Sequence, residues 1–446
     1  MDKATININL ENEVLDRIAG KITLNQDYQE RRKIIFDHFL AVYNTPKGKS
    51  ILKRLKGINI DEFFNQFLSY GFIERFLQDQ EVEDIIINSL NPIFIHKTKV
   101  GLVKTEERFS NHNELNLFIK KLIVFSGRKT VKKINNIELK DIKGRINIVF
   151  SPYGPQITIT RAREKPLSII NLIDNRTLTY DLAAGLWLYV EGMSMKPANI
   201  LISGGPGSGK TTMLNALLSF IPAFEHLVII EDTLELNTDL EENCSRLESD
   251  DDLSLEDLVK NSLRMRPDRI IVGEVRGREA KDMMTAVNIG KYCLGTIHAS
   301  TARETIIRLQ NEPMNVPEQL VSLIDVILVM RRFQVGGEIR RVVAEVDETG
   351  GMELKKVLLT PRWSYDFFKN EFIDSQISGM FRDRLAEMKG ISPKDVIKEL
   401  RLRSDLLKIL KGRNLVQMKD VTDFCRSYNK NSKEAISSLD YKKSDI

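Results

Sequence analysis

Hydrophobic and polar positions along this 446-residue chain follow a helical period in some segments and a strand-like pattern in others. A change from the first to the second near residue 76 divides the N-terminal part of the chain. Residues 1–75 carry apolar residues at helical spacing, as in RRKIIFDHFLAVY and DEFFNQFLSYGFIERFL. From about residue 76, short β-branched runs such as VEDIIINS and RINIVF flank one helical stretch, HNELNLFIKKLIVFSG. We therefore predict an N-terminal helical region over 1–75 and a smaller α/β domain over 76–163.

The pattern changes again in the middle of the chain. Over 181–360, the apolar runs NILISG, LVIIED, RIIVGEV, CLGTIHA and VILVMRR alternate with helical patterns. This alternation predicts an α/β domain with a mainly parallel sheet and helices on both faces. The preceding segment, EKPLSIINLIDNR, is interrupted by Pro166 and predicts a linker over 164–180. Charged helical patterns after residue 360 predict a C-terminal helical extension over 361–446.

Composition narrows the function classes. The formal net charge is only +4 and aromatic residues make up 7% of the chain, which does not favour a nucleic-acid-binding groove. No apolar run approaches the ~18 residues of a membrane span, and the start MDKATININL lacks signal-peptide order. The three cysteines form no CxxC pair, so neither a zinc site nor a disulfide framework is expected. We expect a cytoplasmic protein whose association with the inner face of the cell membrane is peripheral.

The clearest chemical motif follows the apolar run NILISG and opens a helical pattern. Its members are Gly204, Gly205, Pro206, Gly207, Ser208, Gly209, Lys210, Thr211 and Thr212. The spacing is that of a phosphate-binding loop, whose backbone amides and following helix N-terminus bind an anion. Lys210 is expected to reach the β- and γ-phosphates of ATP, and Thr211 to ligate Mg²⁺.

Acidic residues follow the next apolar run. Glu231 and Asp232 stand at the end of LVII, and Glu235 comes three residues after Asp232. Ligands of an open α/β sheet bind at the carboxyl ends of its strands. Carboxylates at that edge can hold Mg²⁺ or polarise the attacking water, so Glu231 and Glu235 are candidate catalytic residues and Asp232 a candidate metal ligand. Taken alone, an acidic strand end is most often a solvated turn.

Two further strand ends carry candidate catalytic groups. The run RIIVGE resembles a Walker B strand, except that Gly273 stands where many P-loop enzymes have Asp. Glu274 is left to organise Mg²⁺ or the lytic water. GTIHA places His298 at the end of the following strand, where a polar side chain can sense the γ-phosphate. A lone His at such a position is more often structural.

Arginines form another candidate set. Arg161 and Arg163 end the α/β domain, and Arg264 with Arg266 precede the Walker B strand. An arginine can stabilise the negative charge that a transferred phosphoryl group carries in the transition state, and a neighbouring subunit can supply that arginine. Arg161 and Arg163 are therefore candidate nucleotide-binding residues, although surface salt bridging would explain any one of these arginines equally well.

Four segments, in this order and spacing, resemble the ATPases of type II and type IV secretion systems: GGPGSGKTT, IEDTLEL, RMRPDRIIVGEVRGREA and GTIHASTARETIIRL. The resemblance spans about residues 80–345. It implies a RecA-like core in hexameric rings of two-domain subunits, with the site on Lys210, Thr211, Glu231, Asp232, Glu235, Glu274 and His298. The zinc-binding CxxC insert of the type II members is absent. The stretch NEPMNVPEQLVSLIDVILVMRR and the helical tail are similar to the archaeal branch.

The resemblance implies a homo-hexameric, Mg²⁺-dependent ATPase that drives type IV pilus assembly or protein secretion with an integral membrane platform protein. The N-terminal domain is then expected to rotate on the linker during turnover. An archaellum motor is the first alternative. A RecA-like nucleic-acid motor and a scaffold with an inactive P-loop are the others. Nucleic acid is not expected as a partner, and intact Lys210, Glu274 and His298 disfavour the scaffold.

Overall fold

The structure is a computed structural model that describes residues 3–23, 26–46, 48–50, 60–139, 144–161, 165–236, 243–249, 252–353, 356–375 and 379–439. The candidate Arg163 lies outside these residues. The chain forms two compact units, Met1–Glu164 with Gly336–Ile339, and Lys165–Val335 with Arg340–Ile446.

The first unit contains an antiparallel sheet of order β3-β2-β1-β6-β5-β4. Its strands are β1 Val82–Asn88, β2 Phe94–Lys97, β3 Gly101–Lys104, β4 Ile134–Leu139, β5 Gly144–Ser151 and β6 Gly154–Arg161. Its described α-helices include Lys3–Ile18, Tyr28–Tyr43, Ile60–Leu68, Glu74–Gln78 and His112–Phe125, with a 3-10 turn at Gly71–Ile73. The N-terminal helices and the sheet share one apolar core, which is what their helical and alternating patterns require.

Local sequence accounts for two elements of this unit. The helix His112–Phe125 begins where the Asn111 side chain accepts a hydrogen bond from the Glu114 amide, the usual N-cap geometry. Along β6 the residues alternate between buried and more exposed, which is the period of two that a strand requires.

The second unit is built on a nine-stranded sheet of order β15-β14-β13-β12-β7-β11-β10-β8-β9. Its strands are β7 Ile200–Gly204, β8 Leu227–Glu231, β9 Cys244–Glu248, β10 Arg269–Val275, β11 Tyr292–Ile297, β12 Val326–Val335, β13 Glu338–Glu353, β14 Lys356–Asp366 and β15 Glu371–Asp374. The block from β12 to β9 is parallel throughout, whereas β13, β14 and β15 pair antiparallel.

Helices cover both faces of this sheet. Along β7, Ile200 and Ile202 belong to one apolar cluster and Leu201 to another, because neighbouring side chains point to opposite faces. The helices up to β12 are Ile169–Asp174, Tyr180–Glu191, Lys210–Leu218, Leu255–Ser262, Glu279–Asn288, Ala302–Gln310 and Glu318–Val321, with 3-10 turns at Gly192–Ser194 and Leu263–Met265. The predicted fold class is confirmed: a RecA-like α/β core, a smaller N-terminal α/β unit and C-terminal helices.

Two segments differ from their predicted character. The predicted linker 164–180 contains the helix Ile169–Asp174, and Ile169 and Ile170 are buried in the core of the second unit. Beyond residue 360 the chain is still extended, since β14 and β15 continue to Asp374 and the helices begin only at Met380. The five-part domain division itself stays a prediction.

The C-terminal helices Met380–Lys389, Pro393–Gly412, Met418–Lys430 and Ser432–Ser438 pack onto the second unit. The second of them begins where the Ser392 side chain accepts a hydrogen bond from the Asp395 amide. Within it, Arg403 donates to Glu191 at 2.7 Å and lies 4.8 Å from the Trp187 ring centroid, with both charged side chains buried. This pair fixes the extension to the helix that precedes β7.

The C-terminal region 391–446 holds 13 Lys or Arg against eight Asp or Glu. Several of these cations are paired within their own helix, including Lys398 with Asp395 and Lys408 with Asp405. Ion pairs along solvated helix faces therefore account for part of the excess of Lys and Arg in this region. None of the described helices combines the length and the apolar character that crossing a membrane requires.

Candidate active site

The phosphate-binding loop connects β7, which ends at Gly204, to the helix that begins at Lys210. Gly207 and Gly209 have φ values of +67° and +94°, a region that side chains with a Cβ rarely occupy. The sequence supplies glycine at both positions. The loop can therefore curl so that its backbone amides and the start of the helix face one point.

Close packing explains another member of this loop. A Cβ on Gly204 would lie 2.5 Å from the Ser208 hydroxyl oxygen and 2.6 Å from the Met330 carbonyl oxygen. The Ser208 hydroxyl is buried and finds no hydrogen-bond partner within the described residues. An orphaned donor inside an anion-binding turn fits a phosphate oxygen as its missing partner. Of the other predicted members, Gly205 and Pro206 are exposed, and Thr211 and Thr212 are half-buried in the first helical turn.

Lys210 lies within the loop and is only 7% exposed. Its Nζ donates to the Gly205 carbonyl at 3.0 Å and lies 3.3 Å from His298 Nδ1. Burial lowers the pKa of Lys210, and the carboxylates of Glu274 and Glu235 oppose that shift. The two predicted acids that act on the lysine thus come from two different strand ends.

His298 lies between the lysine and Glu274. Its Nε2 is 3.5 Å from Glu274 Oε1, and its Nδ1 is the atom near Lys210. Because an ammonium group only donates, Nδ1 accepts and the ring proton is assigned to Nε2, facing the carboxylate. Burial first, and the Lys210 charge second, lower the pKa of His298, with Glu274 opposing. Three predicted residues from three motifs therefore form one chain of contacts.

The lowered pKa of His298 makes stability depend on pH. Below the ordinary value of 6.5, the unfolded chain binds a proton that the folded chain resists. We expect the free energy of unfolding to fall as pH drops through about 6.5, and to fall less in His298→Asn. Urea unfolding of both proteins across that range measures the difference. The exposed His112→Asn serves as control, and a wild-type curve parallel to that of His298→Asn would contradict the expectation.

Glu231 is buried, and its contacts are made with the protein itself. Its Oε1 accepts from the Glu235 and Leu236 amides at 2.9 and 3.0 Å, and Arg246 Nη2 lies 3.4 Å from Oε2. Burial raises the pKa of Glu231, and the two amides and the guanidinium oppose that shift. The carboxylate therefore holds the turn that carries Glu235, a predicted catalytic residue.

The same side chain explains the unusual Walker B sequence. A Cβ on Gly273 would lie 2.9 Å from Cγ of Glu231, so the space that Asp would need is already filled. The neighbouring Thr296 hydroxyl donates to the Gly273 carbonyl at 2.6 Å and holds this point of β10. Position 273 is therefore glycine because the buried Glu231 side chain on the adjacent strand β8 leaves no room for a Cβ.

Gly273→Asp is accordingly expected to cost about 1–3 kcal/mol of stability, because it overpacks the strand and places a carboxylate beside Glu231. Denaturant unfolding measures the loss. Gly412→Ala is the matched control, since a Cβ there meets nothing within 4 Å and the position is helical. Equal stability of Gly273→Asp and wild type would show that Glu231 can move aside at no cost.

The remaining acids differ in exposure. Asp232 accepts from the Ser249 hydroxyl at 2.7 Å and pairs with Arg276, whereas Glu235 is exposed. No group of three or more His, Cys, Asp or Glu that could hold a metal occurs among the described residues. That finding is compatible with magnesium bound by one hydroxyl, one carboxylate, phosphate oxygens and water, which needs no such group.

The candidate arginine of the first unit has a local role. Arg161 Nη1 donates to the Asp79 carbonyl at 2.5 Å and to the Val82 carbonyl at 3.3 Å, which holds the turn before β1. A contact of Arg161 with nucleotide stays a prediction, as it does for Arg163.

Sequence reasoning missed two arginines beside the loop. Arg341 Nε donates to the Gly207 carbonyl at 2.9 Å, and a Cβ on Gly207 would lie 3.2 Å from Arg332 Nη1. Arg341 lies on β13 and Arg332 on β12, both C-terminal to the motif GTIHASTARETIIRL. In the sequence these two arginines belong to the two Arg-Arg doublets of VMRRFQVGGEIRRV. The spacing of these doublets matches no phosphate-binding motif, so it does not by itself point to the nucleotide site.

Comparison with known proteins shows to which family this chain is similar. The sequence profile described as "Type II/IV secretion system protein" matches residues 69–334, more than half of the chain. An uncharacterised protein of Methanocaldococcus jannaschii, MJ0900, is 31% identical over 388 residues, which cover 83% of this chain and 69% of that protein. The conjugal transfer protein TrbB of Rhizobium radiobacter is 33% identical over 199 residues, covering 43% of this chain and 60% of TrbB.

Among solved structures, the ATPase DotB of Yersinia pseudotuberculosis aligns with a TM-score of 0.47 at 18% identity, covering 83% of this chain and 94% of DotB. The relatives from M. jannaschii agree with the archaeal branch that the sequence resembles. The chain belongs to the type II/IV secretion system protein family.

Proposed function

We propose that the chain is a Mg²⁺-dependent ATPase that works as a homo-hexameric motor for type IV pilus assembly or protein secretion. It would act in the cytoplasm, peripherally on the inner face of the cell membrane, with an integral membrane platform protein. The observation that carries the proposal is the contact chain from Lys210 through His298 to Glu274, which joins the phosphate-binding loop to two catalytic strand ends.

The contacts of Lys210 support its role in binding phosphate. Its ammonium group carries three donors, and among the described residues its hydrogen-bond contacts are the Gly205 carbonyl and the His298 imidazole. A β- or γ-phosphate oxygen is a stronger, charged acceptor, so ATP would draw the lysine toward itself. His298 Nδ1 would then lose its donor, and the imidazole would register the arrival of the γ-phosphate.

The same geometry suggests a division of labour among the acids. Glu274 is half-exposed at the end of β10, so its carboxylate can orient a water molecule for attack on the γ-phosphate. Magnesium would supply charge neutralisation at the phosphates, and Thr211 and Glu274 fit as its protein-side partners. Asp232 would first have to leave Arg276. Glu231 fits a role in holding the loop, as its two amide contacts indicate.

The test is ATP hydrolysis by the full chain with Mg²⁺ or EDTA, alone, with lipid vesicles and with DNA, together with its mass in solution with bound nucleotide. We expect Mg²⁺-dependent turnover, a hexameric mass and no response to DNA. Turnover raised by DNA alone would favour a nucleic-acid motor. A chain that binds ATP and never hydrolyses it would favour the scaffold.

A further inference from the structure

Two Arg-Arg doublets flank the turn between β12 and β13, and the proposed ATP site includes neither of them. Over 331–341, RRFQVGGEIRR, four arginines stand against one acid, Glu338. Neighbouring residues of a strand point to opposite faces of the sheet, so each doublet directs one guanidinium group to each face. The contacts of the four side chains divide in this way.

One arginine of each doublet turns away from the phosphate-binding loop. The Arg331 guanidinium lies 5.6 Å from the Phe367 ring centroid and 3.8 Å from the Glu345 carboxylate. Arg340 Nη1 donates to the Asn370 side-chain oxygen at 3.1 Å. Phe367 and Asn370 belong to the turn between β14 and β15, so both of these arginines help to hold that hairpin.

The other arginine of each doublet lies against the phosphate-binding loop. Arg341 Nε donates to the Gly207 carbonyl at 2.9 Å, and Arg332 Nη1 is 3.2 Å from the point where a Cβ on Gly207 would stand. The sheet explains this placement. Met330 pairs with Gly204 at the end of β7, and Arg332 stands two residues further along the same face of β12. Two guanidinium groups therefore meet at one glycine of the loop.

The Arg341 contact fixes the direction of a loop amide. The Gly207–Ser208 peptide is trans, so its carbonyl and its N–H point in opposite directions. With the carbonyl held by Arg341, the Ser208 N–H points into the loop and donates to the Gly205 carbonyl at 3.3 Å. The Lys210 ammonium donates to the same carbonyl at 3.0 Å. Two donors of the loop thus converge on one acceptor, as the binding of an anionic oxygen requires.

We propose that Arg341 is a positioning residue for nucleotide phosphate, which acts through the Gly207–Ser208 peptide, and that Arg332 adds positive charge beside it. A phosphate oxygen is a stronger acceptor than the Gly205 carbonyl and would take over the Ser208 amide in the direction that Arg341 already imposes. Such preorganisation lowers the cost of binding. The inference rests on the proposed ATP site and adds a residue from outside its motifs that raises the affinity for phosphate.

The test is the dissociation constant of a fluorescent ADP analogue with Mg²⁺ and the full chain, which requires no hydrolysis. Arg341→Met keeps an apolar stem and removes the charge and the donor. We expect the dissociation constant to rise about tenfold. Unfolding by denaturant without nucleotide should keep the wild-type midpoint, because the contact is exposed. Arg341→Lys retains a charged donor and should recover most of the affinity.

Arg340→Met is the matched control, since it makes the same change in the same doublet on the opposite face, and it should bind ADP as wild type does. Arg332→Met should raise the dissociation constant about threefold at low salt and less at high salt, because its charge acts through solvent. An unchanged constant at low salt would remove this second cation from the proposal.

Three outcomes would overturn the role of Arg341. The first is that Arg341→Met binds ADP as tightly as Arg340→Met. The second is a lowered unfolding midpoint without nucleotide, with no recovery in Arg341→Lys, which would show an arginine that only stabilises the fold. The third is a wild-type chain that does not bind ADP. That result alone would also overturn the proposed ATPase function, whereas the first two would leave the proposed function standing.

Discussion

Replacing Lys210 by alanine is expected to lower the rate of ATP hydrolysis at least about a hundredfold. The lysine is the cation that the fold places inside the phosphate-binding loop, between the Gly205 carbonyl and His298. A phosphoryl group that gains charge in the transition state would lose its main fixed cation there. The steady-state rate of phosphate release, with Mg²⁺ and saturating ATP, measures the effect.

Stability separates this loss from unfolding. Burial lowers the pKa of Lys210, so the folded chain holds that charge at a disadvantage. Lys210→Ala should therefore unfold at the same denaturant concentration as wild type or a higher one. Lys398→Ala, an exposed lysine paired within its own helix, should keep full activity. Hydrolysis by Lys210→Ala within tenfold of wild type would remove the lysine from the mechanism.

The elements that carry the site followed from the sequence because each is locally encoded. NILISG is a short apolar run, the glycines at 207 and 209 serve positive φ angles, and the helix starts directly after them. Parallel strands then bring their carboxyl ends to one edge, which predicts the meeting of Lys210, Glu274 and His298 without any distance being known.

Side-chain direction at a strand end could not be predicted in the same way. Glu231 is an acid at the end of β8, and the sequence predicts a catalytic role for it with Glu235, which stays a prediction. Its burial and its two amide partners come from the turn that follows and from the glycine on β10. These contacts are long-range or depend on the exact path of a loop, and periodicity carries information about neither.

The strands after residue 360 were missed for a related reason. β14 contains Pro361, which argues against a strand because proline cannot donate a ladder hydrogen bond. In the structure Pro361 stands opposite Asp347, at a register shift in β13, where such a residue is tolerated. The register shift arises from how β13 and β14 pair, so it cannot be recognised from the sequence of β14 alone.

Glu274→Gln is expected to lower hydrolysis about 10²–10³-fold while leaving ATP binding near the wild-type level. The amide oxygen can still accept from His298 Nε2, so the contact chain to Lys210 survives and only the negative charge is lost. A carboxylate that orients the attacking water is needed in the transition state and not for binding. Single-turnover hydrolysis and binding of a fluorescent ATP analogue measure the two quantities separately.

Glu231→Gln is the informative comparison, because it makes the same chemical change on the neighbouring strand. Its carboxylate accepts from two loop amides and lies near Arg246, so the variant should lose stability and lower hydrolysis only modestly. If Glu231→Gln instead matched the loss in Glu274→Gln at unchanged stability, Glu231 would take part in the reaction itself. If Glu274→Gln kept more than about a tenth of the wild-type rate, the water-orienting group would have to be sought at Glu235, whose exposed carboxylate also acts on Lys210.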